Sequence, residues 1–234
     1  MRLARIALIS LLGVVIAFTS ACGSSSTSNP TPTSTLTPTP TLTPVLTAMP
    51  TPTALFSDDF SDESRRWYTG EAWLGSAFYD NGQLVINSTS ETMLAQSELL
   101  NRSFSDFILE VETQWLGQTM QGWTFISCRM SYNKDGYFFL ISPCGTCAIV
   151  KRIDENYFNL VTFYESNYVN KKKNDVNLIR IECIGSSLSI SVNGHLLCTK
   201  YDFSFTNGTL ALGASLVDGE FYKVAFDNLV ITEP

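Results

Sequence analysis

Short stretches of alternating apolar and polar residues recur along the chain from Leu55 to the C-terminus, and helical periodicity is almost absent there. Alternation with a period of two is typical of strands that bury one face. The pattern is clearest at residues 107–115 (FILEVETQW), 123–130 (WTFISCRM) and 137–142 (YFFLIS), which short polar connections join. It predicts three neighbouring strands, and the rest of the folded region repeats this arrangement.

Further segments of the same kind predict additional strands at 84–87, 93–99, 148–153, 160–165, 177–183, 187–192, 195–200, 209–216 and 224–231. Turn residues separate them, and Asn193-Gly194 is the strongest hairpin signal, because a type I′ turn requires positive φ at both positions. Many short strands at this spacing predict an all-β sandwich or barrel.

The N-terminal residues 1–21 have the organisation of a secretory signal. Arg2 and Arg5 precede an apolar run from Ile6 to Phe18, and small residues then lead to Cys22. The segment resembles the lipobox of bacterial lipoproteins, which implies that Cys22 becomes the lipid-carrying N-terminus of the mature protein. The alternative is an ordinary secreted protein. Either interpretation predicts export, and the first places the protein on the extracytoplasmic face of a bacterial membrane.

Residues 22–54 form a Ser/Thr/Pro-rich tether. They hold seven of the nine prolines and no charged residue. Repeated Thr-Pro pairs favour extended, disordered backbone without a core. The predicted organisation is therefore a signal peptide (1–21), a lipidated tether (22–54) and one folded domain (55–234).

The folded domain is acidic. Two of the 15 basic residues and none of the 22 acidic residues precede Leu55, so the domain has a net charge of −9. Nucleic-acid partners require a basic face, and anionic lipid attracts basic segments. The charge therefore argues against a nucleic-acid partner and predicts that the protein meets the membrane only through its N-terminal lipid.

Three segments carry a family resemblance: FSDDFSDESRRWY (56–68), DFILEVETQW with the later GYFFLIS, and NLIRIECIGSSLSISVNGHLL with the closing AFDNLVITEP. Together they resemble the concanavalin A-like lectin/glucanase superfamily, with laminin G-like and 3-keto-disaccharide hydrolase domains as more distant relatives. The resemblance covers residues 55–234. It implies a jelly roll of two curved antiparallel sheets in which the first strand (near 56–60) pairs with the last (near 224–230).

Five cysteines lie in the folded domain: Cys128, Cys144, Cys147, Cys183 and Cys198. An odd number leaves at least one thiol without a partner in the chain. Cys144 and Cys147 flank a short turn and could bond to each other. Cys183 shares a strand face with Ile179 and Ile181, which predicts a core thiol.

Strand register tests one other pairing. If Asn193-Gly194 and Gly185-Ser186 are two-residue turns, Cys198 opposes Ser189 and Cys183 opposes Leu188. The two cysteine Cα atoms are then about 10 Å apart, which is beyond the reach of a disulfide. The register therefore predicts no Cys183–Cys198 bond.

The superfamily contains glycosidases, which use a pair of carboxyl groups for catalysis. Glu110 and Glu112 share a strand face, and their carboxyl groups could approach the roughly 5–5.5 Å of a retaining pair. A solvated strand face has the same appearance and is the preferred interpretation. The sequence therefore names no catalytic residue.

Aspartates near the two chain ends suggest a metal site. The resemblance implies that Asp59 and Asp227 converge, and carboxylate and carbonyl oxygens are the ligands of Ca²⁺. The alternative is turn capping by aspartate side chains. No cofactor is required, and a structural calcium ion is a hypothesis.

Aromatic and polar residues around the central strands suggest a carbohydrate site. Sugar rings stack on exposed aromatic side chains, and amides, guanidinium groups or carboxylates bind the hydroxyls. The candidate ligand-binding residues are Glu112, Gln114, Trp115, Trp123, Arg129 and Tyr137.

The preferred functional hypothesis is a noncatalytic, lipid-anchored surface domain that binds carbohydrate or another extracellular ligand. The alternatives are a glycoside hydrolase or 3-keto-disaccharide hydrolase-like enzyme, and a protein–protein adhesion domain. The sequence leaves the oligomeric state open.

Overall fold

The computed structural model describes residues 53–64, 67–72, 75–90, 94–117, 119–161 and 164–234. The predicted signal peptide, Cys22 and all but the last two residues of the predicted tether lie outside these ranges. Inside them the chain forms β-strands and no α-helix, which confirms the all-β prediction. The described residues accordingly contain no helix that is long and apolar enough to cross a bilayer.

The strands are β1 (Ala54–Asp58), β2 (Gly70–Ala72), β3 (Gly75–Asp80), β4 (Gln83–Ser88), β5 (Ala95–Glu98), β6 (Phe107–Trp115), β7 (Gly122–Met130), β8 (Gly136–Ile141), β9 (Thr146–Ile153), β10 (Asn156–Asn159), β11 (Tyr164–Glu165), β12 (Val176–Ile184), β13 (Ser187–Val192), β14 (His195–Tyr201), β15 (Thr209–Leu216) and β16 (Tyr222–Thr232). For the long alternating segments, the predicted strand ends agree with the observed ends to within one or two residues. A strand that buries one face has its position and register determined by the apolar pattern.

Two antiparallel sheets pack face to face. In the described residues the first sheet has nine strands in the order β14-β13-β12-β6-β16-β4-β3-β2, with β1 also paired to β16. The second has seven strands in the order β10-β9-β8-β7-β15-β5, with β11 also paired to β9. The expected pairing of first and last strands is present, since Phe56 lies opposite Ile231 and Asp58 opposite Leu229.

The strand predicted at 160–165 is present only in part: residues 164–165 form β11, Leu160 and Val161 belong to no strand, and residues 162 and 163 lie outside the described ranges. The amides of Leu160 and Val161 both donate to the carbonyl oxygen of Ile149, at 2.9 and 3.2 Å. Two successive donors on one acceptor interrupt the ladder, so pairing to β9 is divided between β10 and β11. The short strands β2 and β3 were not predicted, because glycine and small residues there give a weak alternation signal.

The hairpin at Asn193-Gly194 forms as predicted, with Val192 opposite His195. The ladder then shifts between Ile190 and Ser191, so that Cys198 lies opposite Ile190. The expectation that Cys198 opposes Ser189 is therefore wrong. A bulge adds one residue to β14 and turns the cysteine from the outer face to the core.

The main core lies between the sheets and is built from the inward rows of both. A second apolar cluster lies on the outer face of the seven-stranded sheet and contains Phe125, Met130, Phe138, Ala148, Val150 and Ala211. These outward side chains are buried, whereas outward side chains of the nine-stranded sheet such as Leu178 are exposed.

Candidate functional site

Glu112 and Gln114 lie together on the outer face of the nine-stranded sheet. Glu112 Oε2 accepts a hydrogen bond from Asn228 Nδ2 at 3.1 Å, and Gln114 Oε1 accepts one from Gln83 Nε2 at 3.3 Å. Both carboxylate and amide therefore take part in side-chain contacts along the surface of this sheet.

The two tryptophans of the candidate set lie elsewhere. Trp115 lies opposite Val224, a core residue, and packs against the core from the end of β6. Trp123 lies opposite Ser215 and belongs to the outer face of the seven-stranded sheet. The sandwich therefore separates Trp123 from Glu112 and Gln114.

Arg129 is buried, and the proposal that it contacts a ligand needs correction. Its side chain is 1% exposed. Nε donates to Ser105 O at 2.9 Å, and Nη1 donates to Gly185 O at 2.8 Å and Phe205 O at 3.1 Å. Nη2 forms an ion pair with Asp106 at 2.9 Å. The guanidinium thus joins three chain segments at one end of the sandwich.

Tyr137 needs the same correction, since its side chain is fully buried. Its hydroxyl donates to Asp202 Oδ1 at 2.7 Å and accepts from the amide of Phe205 at 3.1 Å. Burial, and then the hydrogen bond to Asp202, raises the pKa of this phenol. The six candidate residues are therefore divided among two outer faces and the interior and do not form one site.

The aspartates near the first strand cap turns. Asp58 accepts hydrogen bonds from the Phe60 amide and from Trp67 Nε1, both at 2.9 Å. Asp59 Oδ1 accepts from the amide and hydroxyl of Ser61, at 3.1 and 2.7 Å. This is the alternative that the sequence left open.

Asp227 lies opposite Glu112 in the ladder between β16 and β6, and its Oδ1 accepts from the Asn228 amide at 2.8 Å. Among the described residues no group of three or more His, Cys, Asp or Glu side chains could hold a metal ion. The calcium hypothesis stays a prediction, and a rise in melting temperature with Ca²⁺ is the measurement that would support it.

A better-formed site lies where an edge of each sheet meets the other. A cleft of about 350 Å³ opens between β2–β3 and β5, and we call it the β5 cleft. Its volume is within the range of small-ligand sites. The side chains that define it are Tyr68, Glu71, Gln96, Glu98, Leu100 and Lys134.

Backbone contacts fix Tyr68 relative to β5. The Tyr68 amide donates to Glu98 O at 3.0 Å, and Ser97 Oγ donates to Tyr68 O at 2.7 Å. The Tyr68 side chain nevertheless stays 58% exposed. Gly75 permits the close approach of the two sheet edges, because a Cβ there would lie 3.1 Å from Ala95 Cβ on β5; within its own sheet the same Cβ would lie 1.9 Å from Asn87 O on β4.

Polar groups line the opposite side of the β5 cleft. Gln96 and Glu98 are two residues apart on β5 and share a face. Gln96 Nε2 donates to Glu98 Oε1 at 2.9 Å, and Lys134 Nζ forms an ion pair with the same oxygen. The cleft thus combines an exposed phenol ring with an amide, a carboxylate and an ammonium group, which together donate and accept hydrogen bonds.

These residues were missed at the sequence level, although signals for some of them existed. Gln96 and Glu98 alternate with buried residues of a predicted strand, and this marks them as outward-facing polar residues. Tyr68 closes the first motif of the family resemblance. Their convergence depends on the meeting of two sheet edges, which strand patterns do not specify.

No protein-family model and no curated protein matches the chain. Among solved structures, the carbohydrate-binding module CBM66 from Bacillus subtilis matches 72% of this chain and 96% of the module, with 16% identity and a TM-score of 0.52. A Bacillus licheniformis β-glucanase matches 76% of this chain and 97% of the enzyme, with 9% identity and a TM-score of 0.58.

A Bacillus subtilis protein of unknown function with a galectin-like fold matches 79% of this chain and 98% of that protein, with 11% identity and a TM-score of 0.58. The domain therefore has the concanavalin A-like jelly-roll fold, as its motifs suggested. At these identities the likeness defines the fold, and the function has to be argued from the site.

Proposed function

We propose that this protein is a noncatalytic carbohydrate-binding domain whose ligand occupies the β5 cleft. The observation that carries the proposal is the exposed Tyr68 ring beside the linked side chains of Gln96, Glu98 and Lys134. The fold that the chain shares with a carbohydrate-binding module and a β-glucanase supports the proposal at the level of architecture.

The chemistry of the cleft suits a neutral sugar. The apolar face of a pyranose ring can stack on Tyr68, and an aromatic side chain loses little conformational entropy on binding because it has only two χ angles. Sugar hydroxyls both donate and accept, so they can match the Gln96 amide, the Glu98 carboxylate and the Lys134 ammonium. A polyanionic ligand would meet the overall negative charge of the domain instead.

We propose further that export and a lipid on Cys22 place this domain on the outside of a bacterial membrane. The signal-like N-terminus and the uncharged Pro-rich tether support this. The measurement is incorporation of labelled fatty acid into the full chain. Labelling that persists in a Cys22→Ser variant would contradict lipidation at this residue.

The binding experiment uses affinity gels containing neutral polysaccharides, followed by calorimetry with oligosaccharides of any that retard the protein. Tyr68→Ala should weaken binding roughly tenfold, which corresponds to a stacking contribution of about 1.4 kcal/mol. Tyr201→Ala is the matched control, because Tyr201 is also an exposed tyrosine but lies on β14, in the nine-stranded sheet. An equal loss in both variants, or retention by no polysaccharide, would contradict the proposal; the second result would favour a protein–protein adhesion domain.

The hydrolase alternative is less well supported. Glu110 forms an ion pair with Arg180 at 3.0 Å, and Glu112 accepts from Asn228, both on the outer face of the nine-stranded sheet. The β5 cleft is lined from other strands. If hydrolysis of a bound polysaccharide were detected, a Glu110→Gln, Glu112→Gln double variant should retain it. Loss of the activity in this variant with binding intact would establish these two residues as catalytic.

A further inference from the structure

Four of the five cysteines of the domain meet in two pairs inside the core. Cys128 Sγ and Cys183 Sγ are 3.1 Å apart. Cys147 and Cys198 lie in the same core cluster, and a side-chain interaction with Cys147 is the largest cause of the raised pKa of the Cys198 thiol. All four side chains are buried, and all belong to the main core cluster.

Each pair joins the two sheets. Cys128 on β7 and Cys147 on β9 belong to the seven-stranded sheet, whereas Cys183 on β12 and Cys198 on β14 belong to the nine-stranded sheet. The strand order of the two sheets allows the Cys128–Cys183 and Cys147–Cys198 contacts to form at the same time. β7 and β9 are separated by one strand, and so are β12 and β14, so that both pairs fit one alignment of the sheets.

The fifth cysteine is in a different environment. Cys144 is half-buried in the turn between β8 and β9, where its sulfur lies 3.9 Å from Met120 O. Cys147, three residues later, begins the inward row of β9 and faces Cys198. The contact of Cys144 is thus with the backbone of Met120, whereas Cys147 has Cys198 as its partner.

We propose that Cys128–Cys183 and Cys147–Cys198 form two disulfide bonds that fasten the sheets of the sandwich together, and that Cys144 remains a thiol. The sulfur atoms of the first pair need to approach by only about 1 Å to reach the S–S distance of about 2.05 Å. Inter-sheet disulfides of this kind hold other β-sandwiches together. The proposal depends on export to an oxidising compartment and is independent of sugar binding.

Each bond forms by thiol–disulfide exchange with a disulfide-bearing oxidant, such as an extracytoplasmic thiol oxidoreductase. One cysteine thiolate attacks the oxidant and forms a mixed disulfide, and the second cysteine displaces it. The two cysteines lose two protons and two electrons, and the oxidant leaves as a dithiol. Exchange requires a thiolate, and burial raises the pKa of Cys183, while the hydrogen bond from Cys147 and burial raise that of Cys198. The bonds are therefore expected to form during folding, before the core closes.

The test uses the full chain, produced with its own signal in a bacterium and extracted in denaturant with an alkylating reagent. Peptide mapping should find Cys144 alkylated and the other four cysteines of the domain in the two proposed linked peptides. After reduction all five should be alkylated. The protein should be lighter before reduction by the mass of four hydrogen atoms.

Two variants sharpen the assignment. Cys144→Ser should keep both linked peptides, whereas Cys128→Ser should release Cys183 and keep Cys147–Cys198. Reduction of the Cys144→Ser protein should lower its melting temperature by at least about 8 °C, as expected for removing two long-range cross-links.

Recovery of all five thiols from unreduced protein, or of a Cys144–Cys147 peptide, would overturn the proposal. The mapping of the unsubstituted chain decides the matter even if a variant fails to accumulate. If Tyr68→Ala loses sugar binding but still contains both linked peptides, the disulfide bonds and the sugar site are independent of each other.

Discussion

Arg129 should be a structural residue, and replacing it with methionine tests this. Arg129→Met keeps an unbranched side chain of similar length but removes the hydrogen bonds to Ser105, Gly185 and Phe205 and the ion pair to Asp106. A hydrogen bond to a charged group contributes about 1.5–3 kcal/mol. Asp106 is 49% exposed, so its ion pair contributes little, and water can reach part of the carbonyl groups near the surface.

The expected loss in the free energy of unfolding is therefore about 2–4 kcal/mol, less than the sum of the individual bonds. For a domain of this size, this corresponds to a melting temperature lower by about 4–16 °C. Urea denaturation, followed by tryptophan fluorescence, measures the change on a protein that begins at Gly23.

Arg180→Met is the matched control. Arg180 is 37% exposed and forms ion pairs with Glu110 and Glu182 on the outer face of the nine-stranded sheet. Removing such exposed pairs should cost about 1 kcal/mol or less. The reasoning would be refuted if Arg129→Met cost no more than Arg180→Met, or if it abolished ligand binding while leaving stability unchanged.

Acid stability should depend on Asp202. Although burial alone raises the pKa of this carboxyl, hydrogen bonds from Lys151, Tyr137 and Ser204 hold it well below its usual range. The carboxylate therefore contributes stability above the unfolded pKa of about 3.9, and this contribution is lost as the pH falls below that value. In urea titrations at a series of pH values, the free energy of unfolding should fall less steeply toward acid pH for an Asp202→Asn variant than for the unsubstituted protein. Equal slopes for the two proteins would contradict this. Gly213→Ala should destabilise the domain by about 1–3 kcal/mol, because a Cβ there would lie 2.0 Å from the buried ring of Phe125. A second substitution, Phe125→Leu, should recover part of the loss, and no recovery would argue against a steric cause.

The binding site illustrates the limit of reasoning from sequence. Trp123, Arg129 and Tyr137 lie on neighbouring strands and appeared to form one cluster. In the structure Trp123 faces outward, Tyr137 faces the core, and a bulge turns Arg129 toward the end of the sandwich. The positive φ of 51° at Arg129, with the register shift opposite it, turns Met130, the last residue of β7, to the outer face. Nothing in the local pattern marks that bulge.

The sequence by itself determined the all-β class, the position of the long strands and the hairpin at Asn193-Gly194, because these follow from alternation and from turn chemistry. It also predicted no Cys183–Cys198 bond. The register used for that prediction was wrong by one residue at Cys198, but β13 still lies between the two strands and each cysteine contacts a different partner. The actual partners were decided only by tertiary structure. Cys128 and Cys183 lie 55 residues apart, and Cys198 reaches the core only through the bulge in β14. Which sheet edges meet, and which residues they bring together in the β5 cleft, depends on the packing of two sheets and not on the pattern of any one strand.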